Sequence, residues 1–274
     1  MADLKTFNQT ITNVKTQEYL TSVLGEKKQA FVNNLTALVS NDKNLQTCEP
    51  TTVMFAALKS TALDLPLDNN LGFAYVIPYE NKSKGVVEAQ FQIGWKGISQ
   101  LAIRSGQFKT INVTDVREGE LKGRNRMTGD IQVEWINDDE ARAKAKIIGY
   151  LGYFKLLSGY EKTSYWSVAE LEQHGLKYSK TFQRGRGVWK DNFEAMAKKT
   201  VVKLMLNKGD APMSVEMQQA IKYDQSIILD EEGNYRYIDN SKPTAEEKLE
   251  AIAAKEQQIE EAEVVTNVEP NKLF

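Results

Sequence analysis

The chain has 274 residues, of which 41% are hydrophobic, so it is long and apolar enough to bury a core. It contains no apolar run of about 18 residues and no basic start before an apolar block, which argues against a membrane span and a signal peptide. Cys48 is the only cysteine and His174 the only histidine, which excludes an internal disulfide and the usual zinc sites and favours a reducing cytoplasm.

Charge is distributed unevenly along the sequence. The formal net charge is −2, but residues 230–274 hold 12 acidic and five basic residues, a net of −7. Residues 82–208 hold 14 acidic and 23 basic residues, a net of +9. A basic body predicts a polyanionic partner. The acidic tail fits a partner site, an autoinhibitory segment that competes with the polyanion, or a solvated tail.

A helical arm is predicted for residues 1–65, because their apolar residues recur at helical spacing. Pro50 suits the first turn of the last helix in this arm, and Pro66 lies beyond the end of that helix. The whole sequence is divided by composition into three predicted parts. These parts are a folded core at 1–224, a linker at 225–243 and an acidic segment at 244–274.

A β-hairpin is predicted after this arm. Residues 73–77 and 86–93 have strand character and enclose a polar segment, so the tip of the hairpin carries Lys82 and Lys84. A helix from 94 to 104 follows. Further strands are predicted at 107–117, 130–136, 144–157 and 161–166, and further helices from the capping box at 167–170 to Gly175, at 190–207 and at 213–223.

Motifs for nucleotide chemistry are missing from the sequence. No G-x-x-x-x-G-K-[ST] pattern is present, and the glycines at 185 and 187 are too few for a dinucleotide fingerprint. His174 is interpreted as a surface or helix-capping residue. The acidic run at 138–140 fits either a solvated turn between strands or a Mg²⁺ site, and the second reading leaves a metal-dependent nuclease as an alternative.

Two segments combine cations with aromatic side chains, the combination that binds single-stranded nucleic acid through phosphates and base faces. In the first, the helix at 94–104 would place Lys96, Gln100 and Arg104 along one face. Trp95 either packs in the core or stacks on a base. The second segment, 177–208, holds nine basic and two acidic residues.

Within this second segment, residues 180–190 are predicted to form a flexible, exposed loop. The helix that follows places Lys199 and Lys203 four residues apart, where like charges repel by a few tenths of a kcal/mol and an anionic partner would relieve the repulsion. No catalytic or metal-binding residue is predicted. The residues predicted to contact DNA are Lys82, Lys84, Gln92, Trp95, Lys96, Gln100, Arg104, Lys180, Phe182, Arg184, Arg186, Trp189, Lys190, Lys198, Lys199 and Lys203.

Three stretches carry patterns of a known family. Residues 62–79 are similar to its early segment, and residues 91–106 to its central GYKG … A-R-SG pattern, with Trp95 where Tyr is commoner. Residues 188–203 are similar to its PW … MA-KT-K pattern, with Val188 in place of Pro. Together these stretches resemble the RecT family of phage recombinases, the single-strand annealing proteins, over residues 50–220.

The resemblance implies an α+β fold in which N-terminal helices, a β-hairpin and an antiparallel sheet pack with helices around a basic DNA groove. It also implies a protein that is not an enzyme. Such a protein binds single-stranded DNA as an oligomeric filament or ring and anneals it to its complement without ATP in phage homologous recombination. A passive protection protein for single-stranded nucleic acid is the alternative.

Cofactors, partners and location follow from the same resemblance. No cofactor is expected to be required, although Mg²⁺ is expected to influence annealing. The expected partners are single-stranded DNA, the annealed duplex and further copies of the chain. Through residues 244–274, a phage 5′→3′ exonuclease and a host single-strand binding protein are also expected, and a membrane is not. The expected location is the cytoplasm of a bacterial host cell.

Overall fold

Residues 4–62 are mostly helical in the computed structural model, which describes residues 4–82, 84–207 and 211–237. The predicted acidic segment at 244–274 lies outside the described residues. The N-terminal elements are α1 (Leu4–Thr12), α2 (Val14–Leu24), a 3₁₀ turn (Gly25–Lys27), α3 (Lys28–Asn41), α4 (Lys43–Gln46) and α5 (Pro50–Ala62).

Local sequence explains where several of these helices begin. The Asn13 side chain accepts a hydrogen bond from the backbone N–H of Lys15 at 3.0 Å and caps α2. Asp42 caps α4 in the same way through the backbone N–H of Asn44 at 2.8 Å. Pro50 starts α5, where a missing N–H leaves no helical hydrogen bond unmade. The helical character predicted for this part of the chain is confirmed.

The rest of the described chain contains both strands and helices. The strands are β1 (Ala74–Asn81), β2 (Val86–Ile93), β3 (Phe108–Arg117), β4 (Leu121–Arg124), β5 (Ile131–Val133), β6 (Ile147–Leu156), β7 (Glu161–Ser167), β8 (Ser226–Ile228) and β9 (Tyr235–Tyr237). The helices are α6 (Trp95–Arg104), α7 (Asp139–Lys144), α8 (Val168–Tyr178), α9 (Lys180–Gln183), α10 (Val188–Asp191), α11 (Phe193–Asn207) and α12 (Val215–Tyr223).

One sheet has the strand order β1-β2-β8-β9, with antiparallel pairing throughout. The predicted hairpin is confirmed, with Ala74 opposite Ile93 and Asn81 opposite Val86. Strands β8 and β9 lie where a linker was predicted at 225–243, so the described part of that segment is folded. Each of these strands has only three residues, which is too short to show an alternating pattern in the sequence.

A second sheet, β3-β6-β7, is also antiparallel, and β4 pairs with β5 beside it. Helix α11 packs against α6 and against all three strands of this sheet, while α12 contacts both α6 and β2. A Cβ added to Gly152 of β6 would lie 2.8 Å from a Val201 side-chain carbon, so glycine permits the close approach of α11. The predicted α+β class with antiparallel sheets is therefore confirmed, whereas the basic groove stays a prediction.

Several element boundaries differ from the predictions. The helix predicted at 190–207 is broken at Asn192 into α10 and α11. The strand predicted at 144–157 begins only at 147, because α7 precedes it. The acidic run at 138–140 is not a turn, since the Asp138 carboxylate accepts from the backbone N–H of Ala141 at 2.7 Å and caps α7.

The short α7 is held by buried charges. Glu120 is fully buried and accepts hydrogen bonds from Arg142 Nε and from the backbone N–H of Arg117, both at 2.7 Å. The Asp115 carboxylate pairs with the same two arginines, with Arg117 at 2.7 Å and with Arg142 at 3.3 Å. These contacts tie α7 and the β4–β5 hairpin to the end of β3.

Two features bear on other classes of protein. No described helix has both the length and the apolar composition needed to cross a membrane. Within the same residues, no group of three or more His, Cys, Asp or Glu side chains is arranged to hold a metal ion.

Candidate nucleic-acid interface

Gly94 and Gly97 allow the backbone at Gly72 and Phe73 to lie against the start of α6. A Cβ on Gly94 would be 2.1 Å from the carbonyl oxygen of Gly72, and one on Gly97 would be 2.2 Å from that of Phe73. Gly94 also donates its N–H to the Phe73 carbonyl at 2.9 Å. These glycines are therefore needed for backbone packing that fixes the position of α6.

Trp95 and Lys198 bring the two predicted DNA-binding segments together. The Lys198 ammonium lies 5.6 Å from the centroid of the half-buried Trp95 ring, a cation–π distance. Lys198 also pairs with Glu194 at 2.6 Å. On the face of α6 that is predicted to contact DNA, Lys96 is exposed and Gln100 is half-buried. Both side chains are therefore accessible to a DNA strand.

Arg104, the third member of that face, is bound to the end of α5. Its guanidinium donates to the backbone carbonyls of Leu63 at 3.1 Å and Asp64 at 2.9 Å. Asp64 adopts a left-handed backbone conformation with φ of 50°, which ends the helix. The structure therefore gives Arg104 a structural role that the helical spacing did not indicate, because its partners lie 40 and 41 residues earlier in the chain.

Lys199 and Lys203 converge on one buried carboxylate. Lys199 Nζ lies 2.7 Å from one oxygen of Asp224, and Lys203 Nζ lies 2.8 Å from the other. The backbone N–H of Ile93 donates to the same carboxylate at 3.2 Å. We call Lys199, Lys203 and Asp224 the buried triad. The predicted repulsion between the two lysines is relieved inside the protein by Asp224, and Lys199 is only 5% exposed.

Burial and charge act in opposite directions on the pKa values of the buried triad. Burial alone would raise the pKa of Asp224, but the two ammonium groups and their hydrogen bonds outweigh it and hold that pKa below its usual value. Burial lowers the pKa of Lys199, and Lys203 adds to this lowering, while Asp224 opposes it. Two cations share one anion, so the buried triad carries an excess of one positive charge when all three groups are ionised.

Residues 177–190, which we call the basic turn, are folded and do not form the predicted flexible loop. Short helices α9 and α10 flank a turn in which Gly185 and Gly187 have φ values of 69° and 87°. Ser179 caps α9 by accepting from the backbone N–H of Phe182 at 3.3 Å. Glycine serves both positions because other residues rarely adopt such φ values.

Aromatic packing anchors the basic turn. Trp189 is 6% exposed, and its ring stacks on Phe182 at 5.7 Å and meets Phe193 edge-on at 5.7 Å. A Cβ on Gly175 of α8 would be 3.0 Å from both Phe182 and Trp189, so glycine lets these rings approach α8. Trp189 therefore stabilises the turn and does not present a free face for a base.

The cations of the basic turn face outward. Lys180, Arg184, Arg186 and Lys190 are all exposed on this anchored segment. Lys177 is exposed as well and lies 5.1 Å from the ring centroid of Tyr178, which is itself 39% exposed. The segment 177–190 contains no Asp or Glu.

The other residues predicted to contact DNA lie in the β1-β2-β8-β9 sheet. Lys82 and Lys84 are exposed at the tip of the β1–β2 hairpin. Gln92 is 9% exposed and pairs with Tyr75 within the sheet, so it offers little surface to a strand. The hairpin tip and the basic turn belong to separate elements of the fold.

Sequence reasoning missed the anion at the centre of this region. Asp224 follows α12 and has no local motif around it. The one available signal was Lys199 itself, because a lysine on the apolar side of a helix predicts a buried counter-ion.

Comparisons with known proteins identify the family of this chain. The family model of the RecT family matches residues 29–241. The chain is 39% identical over 238 residues to the uncharacterized protein YqaK of Bacillus subtilis (strain 168), covering 85% of this chain and 78% of that protein. It is 27% identical over 207 residues to protein RecT of Escherichia coli (strain K12), covering 72% of this chain and 74% of that protein. The chain belongs to the RecT family.

Proposed function

We propose that this protein binds single-stranded DNA and anneals it to a complementary strand without ATP, acting as an oligomer in phage recombination. Membership of the RecT family supports a recombination protein of the single-strand annealing class. Proteins of this class are generally not catalytic enzymes. No cofactor is part of the proposal, although Mg²⁺ is expected to influence annealing.

The basic turn is the observation that supports this function best. Its five cations stand on one short, folded segment without a carboxylate among them. A strand's phosphates can be bound by such cations without any readout of base sequence. Tyr178 at the edge of the turn offers an exposed aromatic ring for a base.

Substitution of Arg184 and Arg186 by Gln tests the binding step. We expect weaker binding of an oligothymidylate, and the slope of log K against log salt should become shallower by about 1.4, since each lost phosphate contact on a single strand contributes about 0.7. The matched control is Lys43→Gln, an exposed lysine on α4. An unchanged slope in the double variant would remove the basic turn from the interface.

Annealing distinguishes this function from passive protection. Two complementary oligonucleotides are mixed with the full chain in the absence of ATP, and duplex formation is followed by fluorescence quenching. An annealing protein raises the rate above that of the oligonucleotides alone. A passive protection protein binds both strands and leaves the rate equal or lower.

The remaining parts of the proposal concern assembly and partners. We propose an oligomeric filament or ring in the cytoplasm of a bacterial host, and we assign contact with a phage exonuclease and a host single-strand binding protein to residues 244–274. A truncation should begin at 244 and not at 230, because Arg236 of β9 pairs with buried Glu88 at 2.6 Å. The truncated chain should keep its affinity for DNA and lose affinity for these two partners in pull-down assays.

A further inference from the structure

The chain contains two segments of opposite charge and equal strength. The basic turn, residues 177–190, carries five Lys or Arg residues and no Asp or Glu. Residues 256–271, which we call the glutamate run, carry five Glu residues and no Lys or Arg. Carboxylates and DNA phosphates both accept hydrogen bonds from Lys and Arg side chains, so the glutamate run is able to compete with a strand for the same cations.

The described chain ends on the side of the fold that carries the basic turn. Tyr237, the last residue of β9, pairs with Ser226, and paired strands lie about 4.8 Å apart. Ser226 directly follows Gln225, which lines a cavity of about 220 Å³ together with Tyr178 and Trp189 of the basic turn. Strand β9 therefore runs toward this cavity, and the residues after Tyr237 begin beside it.

Packing fixes the point at which the described chain ends. Arg236 of β9 pairs with the buried Glu88 of β2 at 2.6 Å. The backbone N–H of Gln225 donates to the carbonyl of Phe91 at 2.9 Å, and Gln225 has a left-handed φ of 65° that turns the chain into β8. These contacts hold β8 and β9 on the sheet, so the position of Tyr237 relative to the basic turn is set by the fold.

The length of chain after Tyr237 permits contact with the basic turn. Glu256 follows Tyr237 by 19 residues. An extended chain spans at most about 3.5 Å per residue, so this segment can cover up to about 65 Å. A link of this length within one chain gives an effective concentration on the order of millimolar. Weak ion pairs are therefore sufficient for the contact.

We propose that the glutamate run docks on the basic turn of its own chain and is displaced when a single strand of DNA binds. The inference rests on the proposed function, because it regulates the same DNA interface. Exposed ion pairs are weak and screened by salt, so a strand with many phosphates displaces the glutamate run. DNA binding then makes residues 244–274 accessible to the partner proteins proposed for them.

Carbodiimide cross-linking of the full chain detects this contact in the absence of DNA. The reagent joins a carboxylate directly to a neighbouring amine, so we expect links from the glutamate run to Lys177, Lys180 or Lys190, identified by mass spectrometry. Saturating oligothymidylate should abolish them. In a mixture of isotopically heavy and light chains, the links should join peptides of the same isotope. Links between heavy and light peptides would show docking on a second copy and overturn the assignment to the same chain.

A variant of the glutamate run tests the competition with DNA. Glu260→Gln with Glu261→Gln should bind an oligothymidylate about fourfold more tightly at low salt, roughly twofold for each weak ion pair lost. Its slope of log K against log salt should be steeper, because the strand then releases more counterions and displaces fewer carboxylates. The matched control is Glu18→Gln with Glu26→Gln, which changes the net charge equally at exposed positions and should leave the affinity unchanged.

Salt and the basic turn provide two internal checks. At high salt the contact is screened, so the variant, the parent chain and a chain truncated before residue 244 should bind DNA equally. At low salt the truncated chain should exceed the parent chain. In a chain that also carries Arg184→Gln and Arg186→Gln, the gain from Glu260→Gln with Glu261→Gln should be smaller, because fewer cations remain for the glutamate run.

Three results decide against the proposal or its basis. If no link joins the glutamate run to the basic turn, or if the glutamate variant binds like its control at low salt, then the docking is wrong and the proposed function stands. If the gain is undiminished in the Arg184→Gln, Arg186→Gln background, the glutamate run acts on other cations. If the oligothymidylate binds none of these chains, the proposed function is wrong, whereas the cross-links still decide whether the contact exists.

Discussion

Removal of the Asp224 carboxylate should destabilise the fold more than removal of either lysine. Asp224→Ala deletes the acceptor of three hydrogen bonds and leaves two ammonium groups close together in a buried site. Breaking a buried ion pair by deleting one partner costs about 3–5 kcal/mol. A domain is stable by only about 5–15 kcal/mol, so this single change removes a large share of the free energy of unfolding.

Two other variants provide reference values for the free energy of unfolding of Asp224→Ala. The Lys203 side chain is 26% exposed, and Lys203→Ala leaves a balanced Lys199–Asp224 pair, so it should cost only about 1 kcal/mol. The double variant Lys199→Met with Asp224→Leu replaces the innermost pair by apolar side chains. Such replacements are often neutral, so we expect it to be more stable than Asp224→Ala alone.

Urea unfolding followed by circular dichroism at one fixed protein concentration measures these differences. The parent chain, Asp224→Ala, Lys203→Ala and the double variant Lys199→Met with Asp224→Leu are compared under the same conditions. If the free energy of unfolding of Asp224→Ala lies within about 1 kcal/mol of that of Lys203→Ala, the Asp224 carboxylate does not compensate both lysines.

Three further changes test other parts of the fold. Burial would raise the pKa of Glu120, but Arg142 and backbone N–H groups outweigh it and hold the pKa below its usual value. The stabilising effect of Glu120 should therefore be complete above about pH 4.3 and be lost as the pH falls through the folded-state pKa. In urea titrations across this range, the free energy of unfolding of Glu120→Gln should depend less on pH than that of the parent chain. Gly97→Ala should lower the free energy of unfolding by about 1–3 kcal/mol, because its Cβ would meet the Phe73 carbonyl oxygen at 2.2 Å; a midpoint equal to that of the parent chain would contradict this packing. Arg104→Gln should lower thermal stability through the lost bonds to the end of α5 while leaving the salt slope of DNA binding unchanged, and a shallower slope would restore Arg104 to the interface.

The sequence predicted the parts of the fold that depend on local patterns. The β1–β2 hairpin was visible because strand-forming residues flank a polar tip within 20 residues. The capping box at Ser167 was visible for the same reason and is present at the start of α8. Strands β8 and β9 were missed because three residues carry no period, and the pairing of β8 with β2 is set by contacts between residues far apart in the chain.

The candidate site divides in the same way. Sequence alone placed the cations at 180–190 and, through three short patterns, indicated the family. The tertiary structure decided that Trp189 is buried against Phe182 and Phe193 and that Arg104, although exposed, hydrogen-bonds to the end of α5. It also supplied Asp224, which lies 25 residues from Lys199 along the chain. Charge and pattern are properties of the chain itself, whereas the partner of a buried charge exists only after packing has brought distant residues together.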